Sequence, residues 1–202
     1  MPADVAGRQG FARGSRERLP MPARAAMTPE QRAAADALIA GPRKGVYGPF
    51  LPLLRSPELL DRVARVGEYL RFDSVLDPRI RELATCAVAR HLTNQFEWLM
   101  HAPLAAKAGL SAGTIEALRA GSRPREMARD EEAAFDFTSE LLATHGVSDP
   151  TYEIAQAAFG DQGVVELTML VGYFAMVSWL MNVARTPAQL GAQGEALHAF
   201  PA

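Results

Sequence analysis

Residues 79–110, RIRELATCAVARHLTNQFEWLMHAPLAAKAGL, gather Glu82, Cys86, Arg90, Glu97, Trp98 and His101, most of the plausible acid, base and thiol groups of the chain. Whether they form one site depends on whether this stretch is one helix or two. On one straight helix Glu82 and His101, 19 positions apart, would stand roughly 28 Å from each other. They could not touch. Folded back near Thr93-Asn94, the two halves run antiparallel and their side chains can face one another.

The local signals favour the reversal. Asn94 can cap a helix, and Glu97 stands three residues on, the capping-box spacing with Asn in place of Ser or Thr. His91, Thr93 and Asn94 are weak helix formers. The pattern predicts helix 78–92, a tight corner, and helix 95–108 closed by Gly109. Bland readings stand beside the chemical ones. Glu97 at the third helical position reads as a cap, Cys86 between Thr85 and Ala87 as a small buried apolar residue, and Asn94 as a cap alone.

Outward from the hairpin, start and stop signals recur. Thr28-Pro29-Glu30-Gln31 opens a helix to about Ala40, stopped by Gly41-Pro42. Residues 41–55, GPRKGVYGPFLPLLR, are punctuated by Gly and Pro yet carry Tyr47, Phe50, Leu51, Leu53 and Leu54. So apolar a loop must cover part of the core or the mouth of a pocket, its own or a neighbouring subunit's. Ser56-Pro57 and Asp77-Pro78 open the next two helices. Ser111 caps a short one to about Ala120, Glu131–His145 reads as an amphipathic helix closed by Gly146, and Ser148-Asp149-Pro150 opens a helix to Phe159. Gly160-Asp161 breaks that helix and starts the last, about 162–185. Its length matches a membrane span, but Glu166, Ser178 and Asn182 fit the buried core of a helical oligomer better. No segment alternates with period two, so the fold class is all-α, a bundle of six to eight helices.

With 202 residues, 49% of them apolar, and a formal charge of −2, the chain suits one domain over residues 28–202, preceded by a flexible basic arm over residues 1–27. The charge balance argues against nucleic acid as a partner. A single cysteine excludes an internal disulfide framework and a dithiol redox centre, and points to a reducing, cytoplasmic setting. There is no secretory apolar region, Walker motif or metal-binding His-x-x-x-His pair.

Arg81-Glu82-Leu83, Glu97-Trp98, His101 and the run from Ala105 to Gly109-Leu110 resemble the carboxymuconolactone decarboxylase family of the alkylhydroperoxidase-D-like superfamily. GPFLPLLRSPELL (48–60) and the late helix with Gly172-Tyr173 and Asn182 look like its longer members. The peroxidase branch carries a Cys-x-x-Cys pair, and at its two positions this chain has Asn94 and Glu97. A disulfide-cycling peroxidase needs both thiols, so the resemblance implies the decarboxylase-like branch, acting without metal or organic cofactor on a small organic acid or lactone.

In that reading His101 donates a proton to a carbanion, Glu82 fixes its tautomer, and Glu97 is a second proton carrier or substrate ligand. Arg90 or Arg79 would bind a carboxylate. Trp98, Tyr47, Phe50 and Tyr173 would wall the pocket, with Cys86 and Asn94 beside it. The resemblance also implies self-association as a trimer or hexamer, in keeping with the surplus of apolar helix surface, and no membrane partner. A one-thiol peroxide enzyme using Cys86, and a non-catalytic ligand-binding oligomer, are the alternatives.

Overall fold

The computed structural model describes residues 16–188 and 195–198. Among the described residues there are eight α-helices and no strand. They are α1 (Pro29–Ala40), α2 (Phe50–Leu53), α3 (Pro57–Glu68), α4 (Pro78–His91), α5 (Gln95–Ala108), α6 (Ala112–Ala120), α7 (Arg129–Thr144) and α8 (Asp149–Ala184). A π-helical turn, Tyr69–Asp73, continues α3. The chain is all-α, and its helix starts fall where local capping chemistry places them. Thr28 and Gln31 close a full capping box, each side chain taking the other's backbone N–H at 3.2 and 3.0 Å. Asp77 accepts from the Arg79 amide at 2.8 Å to start α4, and Ser111 accepts from the Thr114 amide at 3.0 Å to start α6.

The reversal between α4 and α5 is present. Thr93 takes the left-handed conformation at φ 51°, a strained state for a β-branched residue. Asn94 secures the corner. Its Oδ1 accepts from the Glu97 amide at 3.0 Å, and its Nδ2 donates to Ser178 O and Asn182 Oδ1 on α8 at 3.3 and 3.2 Å. Asn182 returns a bond to Leu92 O at 3.3 Å. The hairpin is thus bolted to the core helix, and Gly109 at φ 105° ends α5 as expected.

α4 packs on α5, α7 and α8. Leu83, Val88, Trp98, Leu167, Leu170, Val177 and Met181 are buried among them; each large apolar side chain so buried is worth about 1.5–3 kcal/mol. By length and composition α8 could cross a membrane, yet 61% of its most apolar window is buried inside the protein. It bends at Gly160, at φ 69° and ψ 175°, so the break expected there separates its two arms.

Two local expectations are corrected. α7 is closed by His145 in the left-handed conformation at φ 66°, one residue before Gly146. Of the arm expected over residues 1–27, residues 1–15 lie outside the described residues. Residues 16–27 are tied to the body. Arg18 N donates to Ala184 O at 2.8 Å, Pro20 O accepts from Arg55 at 2.6 Å, and Met27 is buried.

Candidate functional site

The corner delivers Glu97 and His101 on one face of α5, one turn apart, against Glu82 on α4. Glu82 Oε2 lies 2.6 Å from His101 Nδ1, and Glu97 Oε2 lies 3.4 Å from His101 Nε2. The imidazole is buried, and its ring meets Phe174 edge-on with centroids 4.9 Å apart. A carboxylate at Glu82 accepts the Nδ1 proton, which directs the Nε2 lone pair toward Glu97.

Glu97 is not spent as a cap. The full box at Thr28 sends its acceptor side chain back to the cap amide, but the Asn94 amide is already bonded to Ala89 O at 2.8 Å. The Glu97 carboxyl turns to His101 instead. Burial pushes its pKa up from the usual 4.5, and Glu82 adds to the rise, while His101, Arg71 and Arg43 oppose it. A buried carboxylic acid beside the open nitrogen of an oriented imidazole can hold or pass a proton.

These groups open onto a cavity of about 210 Å³ lined by Glu97 and His101 together with Tyr47, Phe50, Phe96 and Phe174. Tyr173 also lines it; burial, with help from Glu97, raises the phenol to about 12 against the pull of Arg43 and Arg71, so it stays a neutral donor. The loop after α1 covers the cavity of its own chain. There Gly48, at φ 51°, passes so close to Phe96 that a Cβ would fall 2.3 Å from the ring, and only glycine fits.

Of the residues expected at the site, the structure brings together Glu82, Glu97, His101, Tyr47, Phe50 and Tyr173. The others stand elsewhere. Trp98 is buried away from the cavity and donates Nε1–H to Glu195 O at 2.8 Å. Asn94 is the cap and bolt already described. Cys86 is buried one turn beyond Glu82, and burial pushes its thiol well up, with Glu82 and Glu97 reinforcing the shift.

Both arginines expected to bind a carboxylate are corrected. Arg79 pairs with Asp130 and Glu131 on α7, each at 2.5 Å. Arg90 is buried against Gly121 and donates to His198 O. The arginines that do line the cavity are Arg43, on the loop after α1, and Arg71, in the π-helical turn. Sequence reading missed both. The apolar loop was a signal for Arg43, whereas nothing local marks a π-helical turn. Among the described residues, no group of three or more His, Cys, Asp and Glu is arranged to hold a metal ion.

Comparison with known proteins agrees with this layout. Residues 57–140 match the Carboxymuconolactone decarboxylase family. None of the curated proteins matches the chain by sequence. Among solved structures, an uncharacterized peroxidase-related protein from Ralstonia eutropha, with an alkylhydroperoxidase AhpD core, superposes with a TM-score of 0.70 at 16% identity, covering 85% of this chain and 92% of its own. A protein of unknown function from Agrobacterium tumefaciens, provisionally linked to antioxidant defence as AhpD, superposes at 0.59 with 19% identity, covering 68% and 95%. At such identities the likeness is one of fold. Residues 57–140, which carry Glu82, Glu97 and His101, are the part of the chain that resembles the Carboxymuconolactone decarboxylase family, and the helical fold is the one these solved structures share.

Proposed function

We propose that the protein is a cofactor-free acid–base enzyme acting on a small carboxylated lactone or related organic acid, most nearly a carboxy-lyase. The observation that carries the reading is the imidazole of His101 held between two carboxyl groups, Glu82 at 2.6 Å and Glu97 at 3.4 Å, on the wall of an aromatic cavity. In decarboxylation a C–C bond breaks, CO2 departs, and the electron pair stays on carbon as an enolate. A proton must then reach that carbon. His101 is the donor in this account, Glu82 orients its ring and balances the imidazolium, and Glu97 supplies the following proton.

The test is a panel of unsaturated lactones bearing a carboxylate, incubated with the enzyme in D2O. Release of CO2 together with one deuterium at the protonated carbon supports the reading. No turnover of any member by folded protein counts against it.

The thiol alternative is weaker on physical grounds. Cys86 is completely buried, and both its burial and the neighbouring acids disfavour the thiolate that attacks peroxide. Peroxide consumption lost in Cys86→Ser would revive it.

We also propose cytoplasmic residence and self-association of the chain. Val165, Met169, Gly172, Met176, Trp179 and Val183 form an exposed stripe along α8 with the alternating four–three spacing of a helix-pairing seam. A second copy of α8 is the surface that best matches it.

A further inference from the structure

The cavity wall brings His101 and Glu97 together with Arg43 and Arg71, which enter from separate segments and both oppose the rise in the Glu97 pKa. Neither arginine has all of its donors taken. The Arg43 side chain is only 7% exposed. Its Nη2 donates to Ala64 O at 3.0 Å, and its guanidinium lies over the Phe50 ring at 4.5 Å. Its Nε is buried without a hydrogen-bond acceptor, and Glu68 Oε1 at 3.8 Å is too distant to serve. The Nε of Arg71 is likewise buried without an acceptor, its guanidinium 5.1 Å from the Phe72 ring. A buried donor left without a partner costs about 1–3 kcal/mol, so this wall is incomplete as it stands.

We propose that Arg43 and Arg71 form the carboxylate-binding subsite of this cavity, anchoring a small flat organic acid beside His101. The inference rests on the acid–base reading of the same cavity and names what holds the substrate there. A carboxylate supplies two oxygens with about four lone-pair directions, which suits two guanidinium edges. Tyr47, Phe50, Phe72 and Phe96 give an unsaturated body flat faces to lie against. A consequence concerns the substrate class. A carboxylate held by two cations is stabilised in the ground state and resists losing its charge as CO2. The anchored group is therefore a spectator, and the substrate carries a second carbonyl or carboxyl function toward His101.

Calorimetric titration of the intact protein with benzoate, phthalate, benzamide and inorganic phosphate tests the subsite without turnover. Benzoate or phthalate should bind at least tenfold more tightly than neutral benzamide and than phosphate. Arg71→Gln and Arg43→Gln should each weaken that binding at least tenfold, Arg43→Lys less so, and exposed Arg62→Gln not at all. Arg71 is only partly buried, so its variant keeps the test decisive if Arg43→Gln folds poorly. The proposal is overturned if no carboxylate binds, if benzamide or phosphate binds equally well, or if carboxylate binding survives Arg71→Gln. Because these ligands do not react, such a failure removes the anchor and leaves the chemistry at His101 to its own assay.

Discussion

Glu82 Oε2 stands 2.6 Å from His101 Nδ1, although the two residues are separated by 19 positions and sit on different helices. The contact exists because Thr93 accepts a left-handed backbone and Asn94 ties the corner to α8. It fixes which imidazole nitrogen faces the cavity, and with that which groups can exchange a proton.

Glu97 should make stability depend on pH in an unusual direction. Its folded pKa lies above the ordinary 4.5, chiefly through burial. Its contribution is therefore complete below 4.5 and is lost as pH rises through the raised folded value. Glu97→Gln, which keeps the shape without the charge, should melt higher than wild type above that value, with the difference closing in acid. Parallel melting curves between pH 4 and 9 would count against a neutral Glu97.

Glu166 should act in the opposite sense. Burial pushes its pKa up, but hydrogen bonds from Ser74, Tyr69, Gln162 and the Val75 amide outweigh burial and hold it at about 2. Its stabilisation is present above the ordinary 4.5 and is lost as pH falls from there toward 2. Glu166→Gln should cost roughly 2–3 kcal/mol in urea unfolding at pH 7 and progressively less in acid.

Gly67 makes room for the cavity wall. A Cβ there would lie 2.2 Å from Tyr173 Oη and 3.0 Å from Arg43 Nη2. Gly67→Ala should destabilise the protein by about 1–3 kcal/mol, and its cost should be smaller in a Tyr173→Ala background, which lacks both the oxygen and the Cζ that a Cβ would meet at 2.5 Å. Additive losses in the double-mutant cycle would contradict this contact.

The stripe on α8 predicts a change of mass. Trp179, 58% exposed toward the stripe's C-terminal end, should tolerate Glu in an isolated chain but not in a helix–helix seam. Light scattering of Trp179→Glu should report a smaller assembly than wild type, with helical content retained. Identical masses would place the self-contact elsewhere.

How much of this was readable beforehand follows from how local each signal is. Thr28 with Gln31, Asp77, Asn94, Gly109 and Gly160 each act on the backbone within a few residues, so the helices and the hairpin could be placed from sequence. Glu82, Glu97 and His101 came with the hairpin. Arg90 did not. It lies eight positions beyond Glu82, and eight residues rotate a helix about 80° past two full turns, enough to turn it toward Gly121. Arg43 and Arg71 reach the cavity through a loop path and a π-helical turn, which depend on tertiary packing. The spacing left Glu97 open between cap and proton carrier, and only the bond from the Asn94 amide to Ala89 O shows its carboxyl to be released.

The central claim, that His101 transfers the proton, is tested most directly by single-turnover kinetics of His101→Gln on a confirmed lactone-acid substrate, with substrate affinity measured separately. The account predicts a loss of about 10²–10⁴-fold in the chemical step and little change in affinity. Turnover equal to wild type would contradict it.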